Sequence, residues 1–209
     1  MTSPTTSTQL SSPAQPSPST PASNHESRNV AGFSVVELRG IGNATIEQNG
    51  TESLTITADA DILPLLTSDV SAGVLRLGIK PNTSISTRNP ITYRVTAKDL
   101  RGLSVSGTGS IIAERITTDR LSVTISGSGK IKIGGTADSQ ELHITGAGDY
   151  QAADLISKAV NATITGSGDA DITVSQTLTA TILGSGSITY DGNPKISQQV
   201  LGSGAVARK

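Results

Sequence analysis

Asp169 and Asp171 are the residues whose type and spacing could do chemistry: two carboxylates at i and i+2 share one face of an extended chain. Asp149 stands one repeat earlier, at the position equivalent to Asp169. Converging carboxylates suit a calcium ion, which gathers several oxygens, or the acid and base of glycoside hydrolysis. Both chemistries need reinforcement from neighbouring repeats, and the equivalent positions there are Lys130 and Ser187. Asp149, Asp169 and Asp171 are therefore read as a surface contact whose charges also discourage sheet edges from associating. No catalytic residue, metal ligand or cofactor is assigned. His143, between Leu142 and Ile144, points outwards as a solvated strand residue, and His25 is read as inert. With two histidines and no cysteine, a three-His zinc site, thiolate catalysis and disulfides are excluded.

These side chains must be positioned by a repeat. A Gly-x-Gly step begins at Gly107, Gly127, Gly146, Gly166, Gly184 and Gly202, with second glycines Gly109, Gly129, Gly148, Gly168, Gly186 and Gly204. Successive first glycines are 20, 19, 20, 18 and 18 residues apart, a period that signifies a solenoid with one coil per repeat. Parity sharpens this. Leu121, Val123 and Ile125 lead into Gly127 and Gly129 and on to Ile131 and Ile133, all odd-numbered. Since side chains alternate faces along a strand, the glycines fall on the inward set, and Ser106, Thr108, Ser126, Ser128, Thr165 and Ser167 on the outward set. All twelve glycines are read as structural, marking an inward corner and stacking as a ladder. A phosphate-binding loop would place a single such turn between a strand and a helix, and a calcium roll would double its glycines. Neither fits. Leu183 and Leu201 stand where earlier repeats carry Ser or Thr, and would suit a cap or a subunit contact.

Composition agrees with a polar β protein. The chain has 209 residues with 28 Ser, 27 Thr and 22 Gly, over a third of its length, and a net charge of −1. No basic excess is present to hold nucleic acid, and four aromatic residues (Phe33, Tyr93, Tyr150, Tyr190) supply no stacking platform. Parity places Tyr150 and Tyr190 inside. No apolar run is long enough to span a membrane. Residues 1–29 hold 8 Ser, 5 Thr and 5 Pro and read as a disordered tether, of the kind that follows a removed export signal. Residues 30–209 form the solenoid, with opening strands over 30–100 and the Gly-x-Gly repeats over 101–209. Strands are expected at Phe33–Arg39, Asn43–Gln48, Glu52–Thr57, Val74–Lys80 and Ile91–Thr96. A hairpin turn is expected at Asn49-Gly50, and a helical turn within Asp61–Val70.

Three stretches carry a resemblance: Phe-x-Val-Val-Glu-Leu at Phe33–Leu38, Gly-Val-Leu-Arg-Leu at Gly73–Leu77, and Leu-x-Val-Ser-Gly-Thr-Gly-Ser at Leu103–Ser110. Followed by a train of Ile-x-Gly-Ser-Gly steps, they resemble the bacterial putative auto-transporter adhesin head domain, the head GIN domain, over residues 30–208. The resemblance implies a right-handed parallel β-helix, a β-solenoid with coils of about 19 residues. It implies export too, and no catalytic residues. Nothing after the repeats reads as a membrane barrel, so self-secretion is not expected. The function expected is a non-enzymatic, extracytoplasmic envelope or surface module, binding a polymer or protein through its long face. The alternatives are a polysaccharide-acting enzyme, which the tight repeats disfavour, and a spacer without ligand. A lipid anchor on a longer form and a homo-oligomer stay open.

Overall fold

Val, Ile and Thr at alternate positions favour extended chain, and the computed structural model, which describes residues 23–209, is built almost wholly of it. Fifteen strands form one continuous sheet wound into a β-solenoid of about five coils. In the repeat region β8 (Gly102–Gly107), β9 (Ser110–Gly127), β10 (Lys130–Gly146), β11 (Asp149–Gly166) and β12 (Asp169–Gly184) are followed by β13 (Ser187–Asp191), β14 (Lys195–Gly202) and β15 (Ala205–Arg208). Each long strand starts after one Gly-x-Gly step, bends midway and ends at the next, so one strand is one coil. All stack in parallel, in register on either side of the bends and with register shifts at them. Ile111, Ile131, Tyr150, Ala170 and Ile188 form one interior ladder. Val105, Ile125, Ile144, Ile164 and Ile182 form a second on the opposite side. These rungs are fully or almost fully buried, each aliphatic rung contributing about 1.5–3 kcal/mol from water exclusion.

The first coil lies outside the regular period. Strands β2 (Val35–Gly40) and β3 (Asn43–Gln48) are joined by Gly40-Ile41-Gly42 and pair in parallel with β8 and β9. Between β3 and β8 the chain makes an excursion through β4 (Ser53–Asp59), β5 (Leu66–Ser71), β6 (Val74–Ile79) and β7 (Thr92–Ala97). Strands β6 and β7 stack in parallel beneath β2 and β3, although they come later in the chain. Antiparallel β5 then covers β6, and β4 covers β7. Strand β1 (Ser23–Arg28) lies antiparallel on β4 and finishes that end.

Three expectations change here. Asn49-Gly50 does turn the chain, with Gly50 at φ 83° and Asn49 Oδ1 accepting from the Thr51 amide at 3.1 Å. It makes no hairpin, because β7 inserts between β3 and β4 and pairs with both. The helical turn shrinks to a single 3-10 turn at Leu63–Leu65, and the β-branched Thr67 and Val70 carry the rest into β5. The tether's boundary at residue 29 moves back as well: residues 23–28 are strand, while residues 1–22 lie outside the described residues. Strand β1 has no apolar alternation to announce it. It is fixed by backbone pairing and by Arg28, whose guanidinium donates to the carbonyls of Leu66 at 2.8 Å and Leu63 at 3.0 Å. His25 is likewise engaged, its Nδ1 lying 2.8 Å from Thr57 Oγ1.

Two polar groups are built into this scaffold. Asp59 accepts from the Asn89 side chain and from the Arg88 amide at 3.1 Å, tying down the loop that leads into β7. The Asn89 bond, then the Arg88 amide, hold its carboxyl below the ordinary range. A carboxylate with a depressed folded pKa stabilises the fold above its unfolded value and loses that contribution as pH falls through the folded one. The wild-type melting temperature should therefore drop more steeply than that of Asp59→Asn once the pH falls below about 4, as a pair of thermal pH profiles would test. Deeper in the solenoid, Tyr150 donates to Gln140 Oε1 at 2.9 Å and Gln140 Nε2 donates to Ser157 Oγ at 2.5 Å. All three residues are buried.

Candidate functional site

Each Gly-x-Gly corner sets the coil-to-coil alignment on which the outer surface depends, and its two glycines act differently. The second glycine is the inward one. A Cβ on Gly168 would lie 2.5 Å from Ile144 Cγ2 of the preceding coil, and one on Gly109 would lie 2.6 Å from Leu38 Cδ2. The first glycine does not point inwards, which corrects the parity reading. Its positive φ, 107° at Gly127 and 123° at Gly166, swings the Cβ direction along the stack. A Cβ on Gly127 would meet the Gly107 carbonyl oxygen at 2.7 Å. That same carbonyl accepts from the Ser128 amide at 3.0 Å, so each corner is hydrogen-bonded to the one before it.

Two outer faces result. On the side of β8 and the second halves of β9–β12, the columns are Ser104, Thr124, His143, Thr163, Thr181 and Ser106, Ser126, Thr145, Thr165. Strand geometry spaces them about 4.8 Å between coils and about 6.7 Å along a strand. This face carries few charges: Glu141 and His143, 3.3 Å apart, and the exposed Arg120 stand on it, and the Glu37–Arg39 pair of β2 borders it beside Ser104 and Ser106. Leu183 and Leu201 continue the outer column, register with one another and are exposed, as their positions in the repeat imply.

The other face is charged and internally paired. One column runs Ser110, Lys130, Asp149, Asp169, Ser187, which brings Asp149 and Asp169 into neighbouring coils. Lys130 Nζ lies 2.9 Å from Asp149 Oδ2, and Gln151 donates to the same oxygen at 3.0 Å. Asp169 Oδ1 accepts from the Ser187 amide at 3.1 Å and from its hydroxyl. Asp171 Oδ2 is held by Lys209 Nζ at 2.6 Å. A shallow cleft of about 320 Å³ lies among Lys132, Asp149, Asp154, Asp171 and Lys209. A cation there would have to compete with Lys130 and Lys209 for Asp149 and Asp171. Millimolar calcium should therefore leave the melting temperature unchanged; a rise that Asp169→Asn abolishes would contradict the pairing seen here.

A larger cleft, about 490 Å³, sits at the bends of the coils between Asp99–Arg101 and Thr117–Ser122. Its residues come from a loop and a bend with no repeated spacing, so the sequence does not mark it. Among the described residues no group of three or more His, Asp or Glu is placed to hold a metal ion, and no helix is long and apolar enough to cross a membrane.

The coil geometry has relatives. The chain is similar to a putative adhesin from Bacteroides fragilis, with 25% identity over 90% of this chain and 97% of that one, at a TM-score of 0.76. It shares its fold with a putative adhesin from Parabacteroides distasonis (20% identity, 90% and 97% covered, TM-score 0.59). A putative lipid binding protein from the same species also shares it (21% identity, 90% and 96% covered, TM-score 0.54). No curated protein matches. A family profile matches residues 32–194, from just before β2 to just before β14, and so takes in the first coil, the excursion and the glycine corners from Gly107 to Gly186 together. With that match, the chain belongs to the family described as putative auto-transporter adhesin, head GIN domain.

Proposed function

We propose that this protein is a non-enzymatic, extracytoplasmic binding module that holds a neutral, extended polymer of the envelope or of a neighbouring cell against its hydroxyl face. The observation that carries this reading is the contrast between the two faces. On one, the carboxylates are occupied by Lys130, Ser187 and Lys209; on the other, Ser and Thr hydroxyls repeat on a regular grid with few charges. A neutral polyol can exchange hydrogen bonds with such a grid without stranding a charge, whereas a polyanion would find cations only at its margins, at Arg120 and the Glu37-paired Arg39. No aromatic side chain stands on this face to stack a sugar ring, so each contact is weak and affinity must come from repetition along the polymer. Acid–base chemistry on the charged face would need carboxylates freed from their present partners, which disfavours hydrolysis.

The test is a glycan array and a polysaccharide pull-down with the purified protein, set beside Thr145→Lys/Thr163→Lys. Binding to a neutral polysaccharide is expected, and the double variant should lose it while unfolding within about 0.5 kcal/mol of wild type. Absence of any hit, as for a spacer, would overturn the proposal. Binding undiminished in the variant would overturn the assignment of the face.

A further inference from the structure

The two ends of the solenoid are finished differently. At the start, antiparallel β5 and β1 lie outermost, and β1 is polar throughout, with Asn24, His25, Glu26 and Arg28. At the far end, among the described residues, β14 pairs with β12 on one side and with nothing on the other, and β15 pairs with β13 alone. Their free edges present unpaired backbone donors and acceptors. Exposed large apolar residues gather at this end. Ile196 is 39% exposed, Val200 37% and Leu201 56%, with Leu183 beside Leu201 at 40%. Ile196, Gln198 and Val200 register with Leu178, Ala180 and Ile182, so they continue the interior ladder and stand at its open mouth.

We propose that two copies of this chain join tail to tail, with β14 of each pairing antiparallel about a two-fold axis through Gln198. Parity requires the axis to pass through a residue, and Gln198, mid-strand, leaves all of Lys195–Leu201 paired. Opposed residues in an antiparallel pair share a face, so inward residues must meet inward residues. Centring on Gln198 sets Ile196 against Val200 of the other copy, and Gln198 against its own mate, where two amides can exchange hydrogen bonds. On the outer side Lys195 falls opposite Leu201 rather than opposite another lysine, and its aliphatic stem covers that leucine. A shift of one residue would press Gln199 or Ser197 against the interior ladder. Stacking head to tail instead would set this apolar mouth against the polar β1, so like meets like.

The size of the contact fixes its strength. An eight-residue strand is about 26 Å long, and the end of a two-layered coil about 20 Å wide, so each copy covers about 500 Å². The total of about 1,000 Å² sits at the lower limit for a specific interface, which implies a reversible dimer rather than an obligate one. Such a dimer lays two hydroxyl faces in series.

Sedimentation velocity of the whole chain, from about 1 μM to about 300 μM, should show a monomer passing into a dimer and stopping there. Gln198 is exposed in the monomer, so Gln198→Lys and Gln198→Glu should each fold normally. Each places like charges directly opposite one another and should raise the dissociation constant about tenfold or more. Their equimolar mixture should restore the dimer. Because the chain has no cysteine, Gln198→Cys should cross-link into a disulfide dimer on oxidation, and Thr145→Cys should not. A wild type that stays monomeric throughout, a series growing beyond the dimer, or a mixture no tighter than its components would overturn the proposal. The first of these results would leave the edge to a different protein or to a further segment of chain.

Discussion

Gly166→Val should be severely damaging, and Ser167→Val beside it nearly silent. At Gly166 the backbone has φ 123°, a region that a β-branched residue adopts only under strain. A Cβ there would press into the carbonyl of Gly146, which the Ser167 amide already uses at 2.8 Å. Strain and overpacking together should cost about 3–5 kcal/mol, a large share of the 5–15 kcal/mol typical of a domain. Gly168→Val acts by another route, driving its methyls into Ile144 inside the coil, and should fall in the same range. Ser167 is exposed on the outside of the corner, so a valine there should stay within about 0.5 kcal/mol of wild type. Position matters too. Each coil touches mainly its neighbours, so damage at the middle corner divides the stack, whereas Gly202→Val should only loosen the last coil. Chemical denaturation of the four variants decides it. Equal midpoints for Gly166→Val and Ser167→Val would contradict the corner geometry.

What the sequence made legible was whatever repeats. The alternation around each Gly-x-Gly step identified the inward ladder, including Tyr150, because a period of two converts directly into a face. The same logic placed Asp149 over Asp169 and left Leu183 and Leu201 outside. It misassigned the first glycine of each step, since alternation assumes an extended backbone and a positive φ breaks it. It also passed over Gly40-Ile41-Gly42, because the excursion between β3 and β8 separates that step from the others. Of the strands that cover the first coil, β4 was legible at Glu52–Thr57 but β1 and β5 were not, for a different reason. Strand β1 carries no apolar pattern and is held by its backbone and Arg28, while the order of β6, β7, β2 and β3 is set by stacking rather than by chain order. For the binding faces, the sequence disclosed the Ser and Thr columns but not that Lys130 and Lys209 would neutralise the carboxylates. Lys209 reaches Asp171 only because the last coil folds back over it.

Gln140→Leu should produce the second large loss, through the polar chain inside the solenoid. Tyr150 hydroxyl, Gln140 amide and Ser157 hydroxyl form a buried relay with bonds of 2.9 and 2.5 Å. Burial holds the Tyr150 phenol far above its ordinary pKa, so it stays a neutral donor. Replacing Gln140 by a leucine of similar size leaves little cavity but strands two hydroxyls in a dry interior, at a cost of about 2–5 kcal/mol. Tyr150→Phe strands only the Gln140 oxygen and should cost about 1–3 kcal/mol. The triple change Gln140→Leu/Tyr150→Phe/Ser157→Ala removes every unpaired group at once and should recover most of the loss, because the penalty lies in isolation rather than in absence of the bonds. Tyr93 provides the contrast. Its hydroxyl is buried with no partner among the described residues, and burial pushes its phenol up to about 12, so Tyr93→Phe should be neutral or stabilising. Urea denaturation of these variants, arranged as a double-mutant cycle, separates the cases. If Gln140→Leu matches wild type, or the triple variant is no better than the single, the relay does not stabilise the fold.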